Sequence, residues 1–219
     1  MSDNTIQVIF ADDHTLVRKG IISLLDNVPE INVVAEADNG YELIEKYKLF
    51  KPDIVISDIS MPDLSGTDAA KMILEFDKEA KILFLSMYSG DDYVIMSLNA
   101  GGLGLINKSI DRGELITAIN TINSGNKYFG GGYTEEKLHD MLKNYQITVK
   151  EKDSIIEELT GRELETLKLV CEGMSVKEIS DKLSISNRTV ETHKLNVMKK
   201  FGVSTSPQLI KYALKHKLI

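Results

Sequence analysis

Three aspartates, a serine and a lysine each stand at the end of a short apolar run. Asp12 and Asp13 follow IQVIFA (6–11), Asp58 follows Ile54-Val55-Ile56, Ser86 closes KILFLS (81–86), and Lys108 comes just after residues 103–106. Three clustered carboxylates repel one another and call for a cation. Hard oxygen ligands around an open site suit Mg²⁺, which keeps several waters and binds through one or two carboxylates. A carboxylate beside Mg²⁺ and a lysine can attack a phosphoryl group and become an aspartyl phosphate. In that chemistry Lys108 neutralises phosphoryl oxygens as a point charge, and the Ser86 hydroxyl donates a hydrogen bond to the same group. Taken singly, each residue has a plainer role. Asp12 can cap the helix starting near Thr15, Asp58 and Ser86 suit turns, and Lys108 suits solvent. Their joint placement at four strand ends favours the shared site.

Such a site needs a fold that brings those strand ends together. The run before Asp58 is too short for a buried helix and rich in β-branched residues, as a central strand of a parallel sheet is. Further strands are predicted over 6–11, 31–37, 81–86 and 103–106. Helical patterns alternate with them: 15–25, with Leu16, Ile21, Leu24 and Leu25 at helical spacing; 41–48; 67–76, with Ala69, Met72 and Ile73; 92–100; and 111–124. Met61-Pro62 with Gly66 make a turn after Asp58, and Gly101-Gly102 end the fourth helix. This alternation predicts an α/β, doubly wound, five-stranded parallel sheet with right-handed crossovers. Ligands of such sheets bind beyond the carboxyl ends of the strands.

Charge divides the chain. Residues 1–130 hold 11 Lys/Arg against 20 Asp/Glu, and residues 159–219 hold 11 against 6. A basic third behind an acidic body suggests two domains with different partners. No apolar run approaches the roughly 18–20 residues that span a membrane. The N-terminus, MSDNTIQVIF, lacks the basic region and apolar core of a signal peptide. Cys171 is the only cysteine, which excludes an intrachain disulfide and a cysteine metal cluster. A cytoplasmic protein without a membrane partner is expected.

Residues 126–158 read as a connector. Gly130-Gly131-Gly132 punctuate it, and Thr134 suits the cap of a short helix through Tyr145 with Leu138, Met141 and Leu142 on one face. Residues 147–158 are mostly charged, and a plain tether is favoured over a regulating helix. Beyond it, Thr160 with Glu163 and Ser175 with Glu178 are capping boxes, and four short helices are predicted. The second and third are joined by Ser184-Ile185-Ser186, a helix-turn-helix arrangement. With Val190 buried, Arg188, Thr192, Leu195 and Lys199 fall on the opposite face of the third helix, with Glu191 and Asn196 beside them. A major-groove helix carries such a face. Leu209, Ile210 and Leu214 of the fourth helix are a candidate dimer surface, weighed equally against core burial.

FADDH (10–14), SDISMPDLSG (57–66), FLSMY (84–88) and NAGGLGLINK (99–108), in that order, resemble the flavodoxin-like receiver domain of two-component response regulators. The resemblance implies Asp58 as phosphoacceptor. It implies Mg²⁺ ligation by the Asp13 and Asp58 side chains and the Ser60 carbonyl, with Asp12 acting through water, and Ser86 and Lys108 as switch hydroxyl and phosphate-contacting lysine. Two positions depart from the pattern. Leu105 stands where many receivers carry Tyr or Phe, so coupling is expected through Ser86, residues 87–91 and the helix near Tyr93. Gly102 stands where alanine is common and is expected to loosen the start of the fifth strand. LTGRELETLKLVCEG (159–173), SVKEISDKLSISNRTVETHKLNVMKKFGV (175–203) and SPQLIKYA (206–213) resemble the LuxR-type DNA-binding domain of NarL/FixJ response regulators. That resemblance implies Glu191, Thr192 and Leu195 at base edges, and Arg188, Lys194 and Lys199 on phosphates.

The reading is a receiver over residues 1–127, a linker over 128–157, and a small all-α four-helix helix-turn-helix domain over 158–219. A sensor histidine kinase is expected to phosphorylate Asp58. The phosphorylated chain is then expected to form a homodimer and bind double-stranded promoter DNA, as a transcription factor rather than an enzyme. The alternative is a phosphorylation-responsive protein-interaction regulator or phosphoryl sink. An aspartate-nucleophile phosphohydrolase is disfavoured, because Ser60 stands where a second catalytic acid belongs.

Overall fold

The computed structural model describes residues 5–130, 132–216 and 218. The chain divides into two compact units, Met1–Leu142 and Lys143–Ile219. In the first, β1 (Ile6–Ala11), β2 (Ile31–Ala37), β3 (Ile54–Asp58), β4 (Ile82–Ser86) and β5 (Gly104–Asn107) form a parallel sheet in the order β2-β1-β3-β4-β5. Helices α1 (Thr15–Ser23), α2 (Gly40–Phe50), α3 (Gly66–Phe76), α4 (Asp91–Asn99) and α5 (Arg112–Asn123) alternate with the strands. A parallel sheet must be covered on both faces. One apolar cluster joins the sheet to α2, α3 and α4 through Leu43, Ile73 and Val94, and a second joins it to α1 and α5 through Ile21 and Leu115. Every residue of β3 is buried.

The chain runs from β1 outward to β2, then back across to β3 on the other side. That reversal is the switch point at which open α/β sheets leave a crevice. Register carries the chemistry there. Ala11 pairs with Ser57, Asp58 with Leu85 and Ser86 with Asn107, so Asp12, Asp58, Ser86 and Lys108 leave four adjacent strands at one edge.

Three expectations need correction. Leu16 lies on the solvent side of α1 and is 87 % exposed, and Met72 is 41 % exposed; the apolar seams of α1 and α3 run instead through Ile21 and through Ala69, Ala70 and Ile73. Gly102 does not loosen β5. A Cβ there would stand 2.7 Å from the Phe84 ring and from Ser97 Oγ, so the close packing itself excludes a larger residue. The charged stretch after Ile147 is not an irregular tether: a single helix, α6 (Glu135–Glu157), runs through it. Its first turns pack Leu138, Met141 and Leu142 into the first unit's core, and Ile155 and Ile156 pack into the second unit's core.

The second unit holds α7 (Gly161–Cys171), α8 (Val176–Leu183), α9 (Asn187–Lys200) and α10 (Ser206–Lys215). Thr160–Glu163 and Ser175–Glu178 form the reciprocal capping boxes that start α7 and α8. The core gathers Leu167, Val170, Ile179, Val190, Val197 and Leu209. Of the candidate dimer residues, Leu209 is fully buried in this core, Ile210 packs partly buried against it, and Leu214 is 61 % exposed.

Candidate functional site

Asp12 is wholly buried, and three of its four polar groups make hydrogen bonds. Its amide donates to Ala37 O at 3.0 Å, its carbonyl accepts from the Arg18 guanidinium, and its Oδ1 accepts the His14 amide at 2.8 Å. Lys108 Nζ stands 2.8 Å from Asp12 Oδ2 and donates to Asp58 Oδ2 at 2.7 Å. The lysine therefore bridges the ends of β1 and β3. The Asp12 contact is charge at close range rather than a directed hydrogen bond, since Asp12 Oδ2 and Asp13 Oδ1 are both buried oxygens that accept none. Burial pushes the Asp58 carboxyl above its usual range. The Lys108 hydrogen bond and charge pull it back, the Asp12 charge adds to the rise, and the Ser60 amide opposes it. For Lys108 burial acts to lower the pKa, but the close contacts and charges of Asp12 and Asp58 outweigh it and the pKa is raised.

Gly66 fixes the main chain of the phosphoacceptor candidate. A Cβ at that position would lie 1.8 Å from Asp58 O, and the Gly66 amide donates to Ile59 O at 3.0 Å. Only glycine lets the start of α3 pass this close to β3.

The acidic residues fit a divalent cation. Asp12, Asp13, His14 and Asp58 each present one ligand atom within 4.8 Å of the others. Lys108 contacts two of the three carboxylates, and Asp12 Oδ2 and Asp13 Oδ1 accept no hydrogen bond. Oxygen-rich ligands with an open side are the hard-cation pattern.

On the other side of the site, Ser86 is 3 % exposed and its Oγ accepts the Tyr88 amide at 3.0 Å. Tyr88 stacks on Tyr93 of α4 with ring centroids 5.5 Å apart. Leu105 is buried in the core rather than poised at the surface. On α9, Val190, Val197 and Met198 face the core, while Arg188, Glu191, Thr192, Leu195 and Lys199 are exposed and Lys194 is partly buried. Glu191, Lys194 and Leu195 share a groove with Thr205 and Pro207. Lys200 turns inward instead, donating to Glu163 Oε2 at 2.6 Å and to Glu158 O at 2.8 Å.

The response regulator receiver domain family matches residues 8–120, and the luxR family of bacterial regulatory proteins matches residues 157–213. The oxygen regulatory protein NreC of Staphylococcus aureus (strain MRSA252) is 35 % identical over 98 % of this chain and 99 % of its own length. The chain belongs to the LuxR-type response regulators. Members of this family join a receiver, phosphorylated by a histidine kinase, to a DNA-binding domain that regulates transcription. Among solved structures, the response regulator RcsB of Salmonella enterica serovar Typhimurium, bound to a promoter in the presence of a phosphomimetic, is 27 % identical. It superposes with a TM-score of 0.51 over 95 % of this chain and 98 % of that one. A structure of two RcsB dimers on two parallel DNAs gives 0.56 at 27 % identity and the same coverage. Receiver domains generally bind Mg²⁺ at their acidic pocket, and Asp12, Asp13 and Asp58 form an acidic cluster in this response regulator. No helix of the described residues is long and apolar enough to cross a membrane.

Arg18 and His14 escape a reading based on strand ends. Arg18 lies on α1 and His14 at its N-terminus, yet both touch Asp12. A basic residue six positions after Asp12 was the available signal, but without the fold it does not stand apart from any helix-surface arginine.

Proposed function

We propose that Asp58 accepts a phosphoryl group from a histidine kinase and that this modification controls homodimerisation and promoter binding through α9. One observation carries the assignment: Lys108 Nζ is shared between Asp58 and Asp12 at the sheet's switch point. In the step, an Asp58 carboxylate oxygen attacks the phosphorus of a phosphohistidine. The O–P bond forms as the P–N bond breaks, and the imidazole leaves with its electron pair. Lys108 then neutralises the oxygens of the bound phosphoryl group, and Ser86 turns its hydroxyl from the Tyr88 amide towards them. Asp13, Asp58 and the Ser60 carbonyl would hold Mg²⁺, with Asp12 acting through water. When bound, the ion supplies positive charge to the phosphoryl oxygens. Arg188, Lys194 and Lys199 contact DNA phosphates, and Glu191, Thr192 and Leu195 approach base edges. The receiver spans residues 1–127, the connector 128–157 and the DNA-binding domain 158–219. The chain acts in the cytoplasm and turns over no outside substrate.

The test is light-scattering mass and promoter binding, with and without beryllofluoride and Mg²⁺, on the wild type and on Asp58→Asn. A rise in mass and DNA affinity confined to the wild type is expected. Equal binding of the wild type in both conditions would remove Asp58 from control of DNA binding.

A further inference from the structure

The carbonyl of Asp12 belongs to the peptide that links the two acidic residues at the end of β1. It sits at the limit of the strand ladder, beyond the last β1–β3 pair, Ala11 and Ser57. A side chain reaches it: the guanidinium of Arg18, whose side chain is only 12 % exposed. The same guanidinium donates through Nε to Glu36 Oε2 at 2.8 Å. Glu36 lies on β2, where it pairs in register with Phe10, and its carbonyl accepts from Lys46 of α2. Arg18 thus ties the Asp12–Asp13 peptide to α1 and β2 together.

We propose that Arg18 is a positioning residue of the phosphorylation site, acting on cation binding through the main chain of Asp12. The inference rests on the reading of Asp13 and Asp58 as Mg²⁺ ligands. The two acids are held unequally. Asp12 is fixed by hydrogen bonds at its amide, its carbonyl and Oδ1, with the Lys108 charge beside Oδ2. Asp13 has a side chain 29 % exposed, and among the described residues its one ion-pair partner is His14 Nδ1, at 2.9 Å. The geometry of Asp13 is therefore inherited from the peptide before it, and Arg18 holds that peptide. A guanidinium suits the task because its donors lie in a rigid fork and its charge is permanent. Near a pocket with three carboxylates and one lysine, a second cation also moderates repulsion without occupying the pocket.

A plainer role is a staple between α1 and β2. The two roles separate at Glu36. Replacing Glu36 with Gln removes the charge pair of the staple but keeps an oxygen for Arg18 Nε, so Nη1 stays on Asp12. The experiment uses the full chain and follows Mg²⁺ titrations by amide shifts, alongside thermal melting, for the wild type, Arg18→Met, Glu36→Gln and Asp13→Asn. Asp13→Asn should weaken Mg²⁺ by more than thirtyfold. Arg18→Met should weaken it three- to tenfold, with phosphorylation by acetyl phosphate recovering at saturating Mg²⁺. Glu36→Gln should stay within twofold of the wild type while melting lower. Arg18→Met within twofold of the wild type, or Glu36→Gln as weak as Arg18→Met, would overturn the positioning role. An Asp13→Asn chain that binds Mg²⁺ normally would overturn the ligand assignment itself, and the inference with it.

Discussion

The amide of Leu105 donates to Tyr128 O at 3.0 Å, and the Tyr128 amide donates back to Leu103 O at 2.9 Å. Residues after α5 therefore extend the sheet beyond β5, its edge strand, and cover backbone groups that an edge otherwise exposes. The chain continues to Tyr133, whose hydroxyl donates to Asp91 Oδ1 at 2.8 Å at the start of α4, and to Leu138, which is buried in the first unit's core. In place of an aromatic at 105, this response regulator has a buried leucine clasped by its own connector.

Gly104 permits that clasp, since a Cβ there would lie 2.5 Å from Tyr128 O and 2.7 Å from Ile122 Cδ1. Gly104→Ala should displace residues 126–130 from the edge, lowering stability by about 1–3 kcal/mol, the usual cost of overpacking. Hydrogen exchange at the Leu105 amide is the direct readout. Unchanged protection there would mean that the segment gives way without letting go.

Lys108 compensates two buried carboxylates at once. Lys108→Met leaves both without their cation, and removing one partner of a buried pair costs about 3–5 kcal/mol. Urea denaturation at pH 7 should show a loss of this size, and millimolar Mg²⁺ should return part of it. A loss indifferent to Mg²⁺ would separate the lysine from the cation pocket.

Glu163 is held down to a pKa of about 2, first by the hydrogen bond from Lys200 and further by the Thr160 amide and hydroxyl. A carboxylate depressed in the folded state stabilises it above the ordinary value near 4.5, and that stabilisation disappears as pH falls towards about 2. Glu163→Gln should therefore destabilise the second unit by about 1–3 kcal/mol at neutral pH, allowing for solvent around Lys200. The gap between wild type and variant should close between about pH 4.5 and pH 2 in urea titrations followed by α7–α10 amide signals. A gap that persists at pH 2 would assign the loss to packing.

Neighbouring lysines on α9 should behave differently. Both are exposed, but Lys200 is tied down, donating to Glu163 Oε2 and to Glu158 O. Lys199→Ala should weaken promoter binding and reduce the salt slope by about one. Lys200→Ala should lower thermal stability and leave the slope unchanged. Salt titrations of DNA affinity on both variants distinguish the two roles.

The sheet was legible because buried parallel strands write themselves as apolar runs, and Asp12, Asp13, Asp58 and Lys108 cluster because such runs end at one edge. Caps were legible for the same reason: Thr160–Glu163 and Ser175–Glu178 are local chemistry. What failed was face assignment in short helices. Leu16 matches the helical spacing of Ile21 well enough on paper, yet a nine-residue helix offers too few turns to fix its buried direction. The charged half of α6 was hidden because composition alone does not separate a solvated helix from a tether. Arg18 was hidden because its partner is a carbonyl, which every residue carries.

Cys171 closes α7, partly buried against the second unit's core, and burial pushes its thiol pKa up. Partly buried and with its pKa raised, this thiol reacts slowly while the helix end is closed, and alkylation quickens as that end opens. With no other sulfhydryl in the chain, the rate at which a maleimide consumes it is a stopwatch for breathing of the DNA-binding unit. Run in the native protein, without mutation or added dye, it would register whether phosphorylation quickens or quiets that motion.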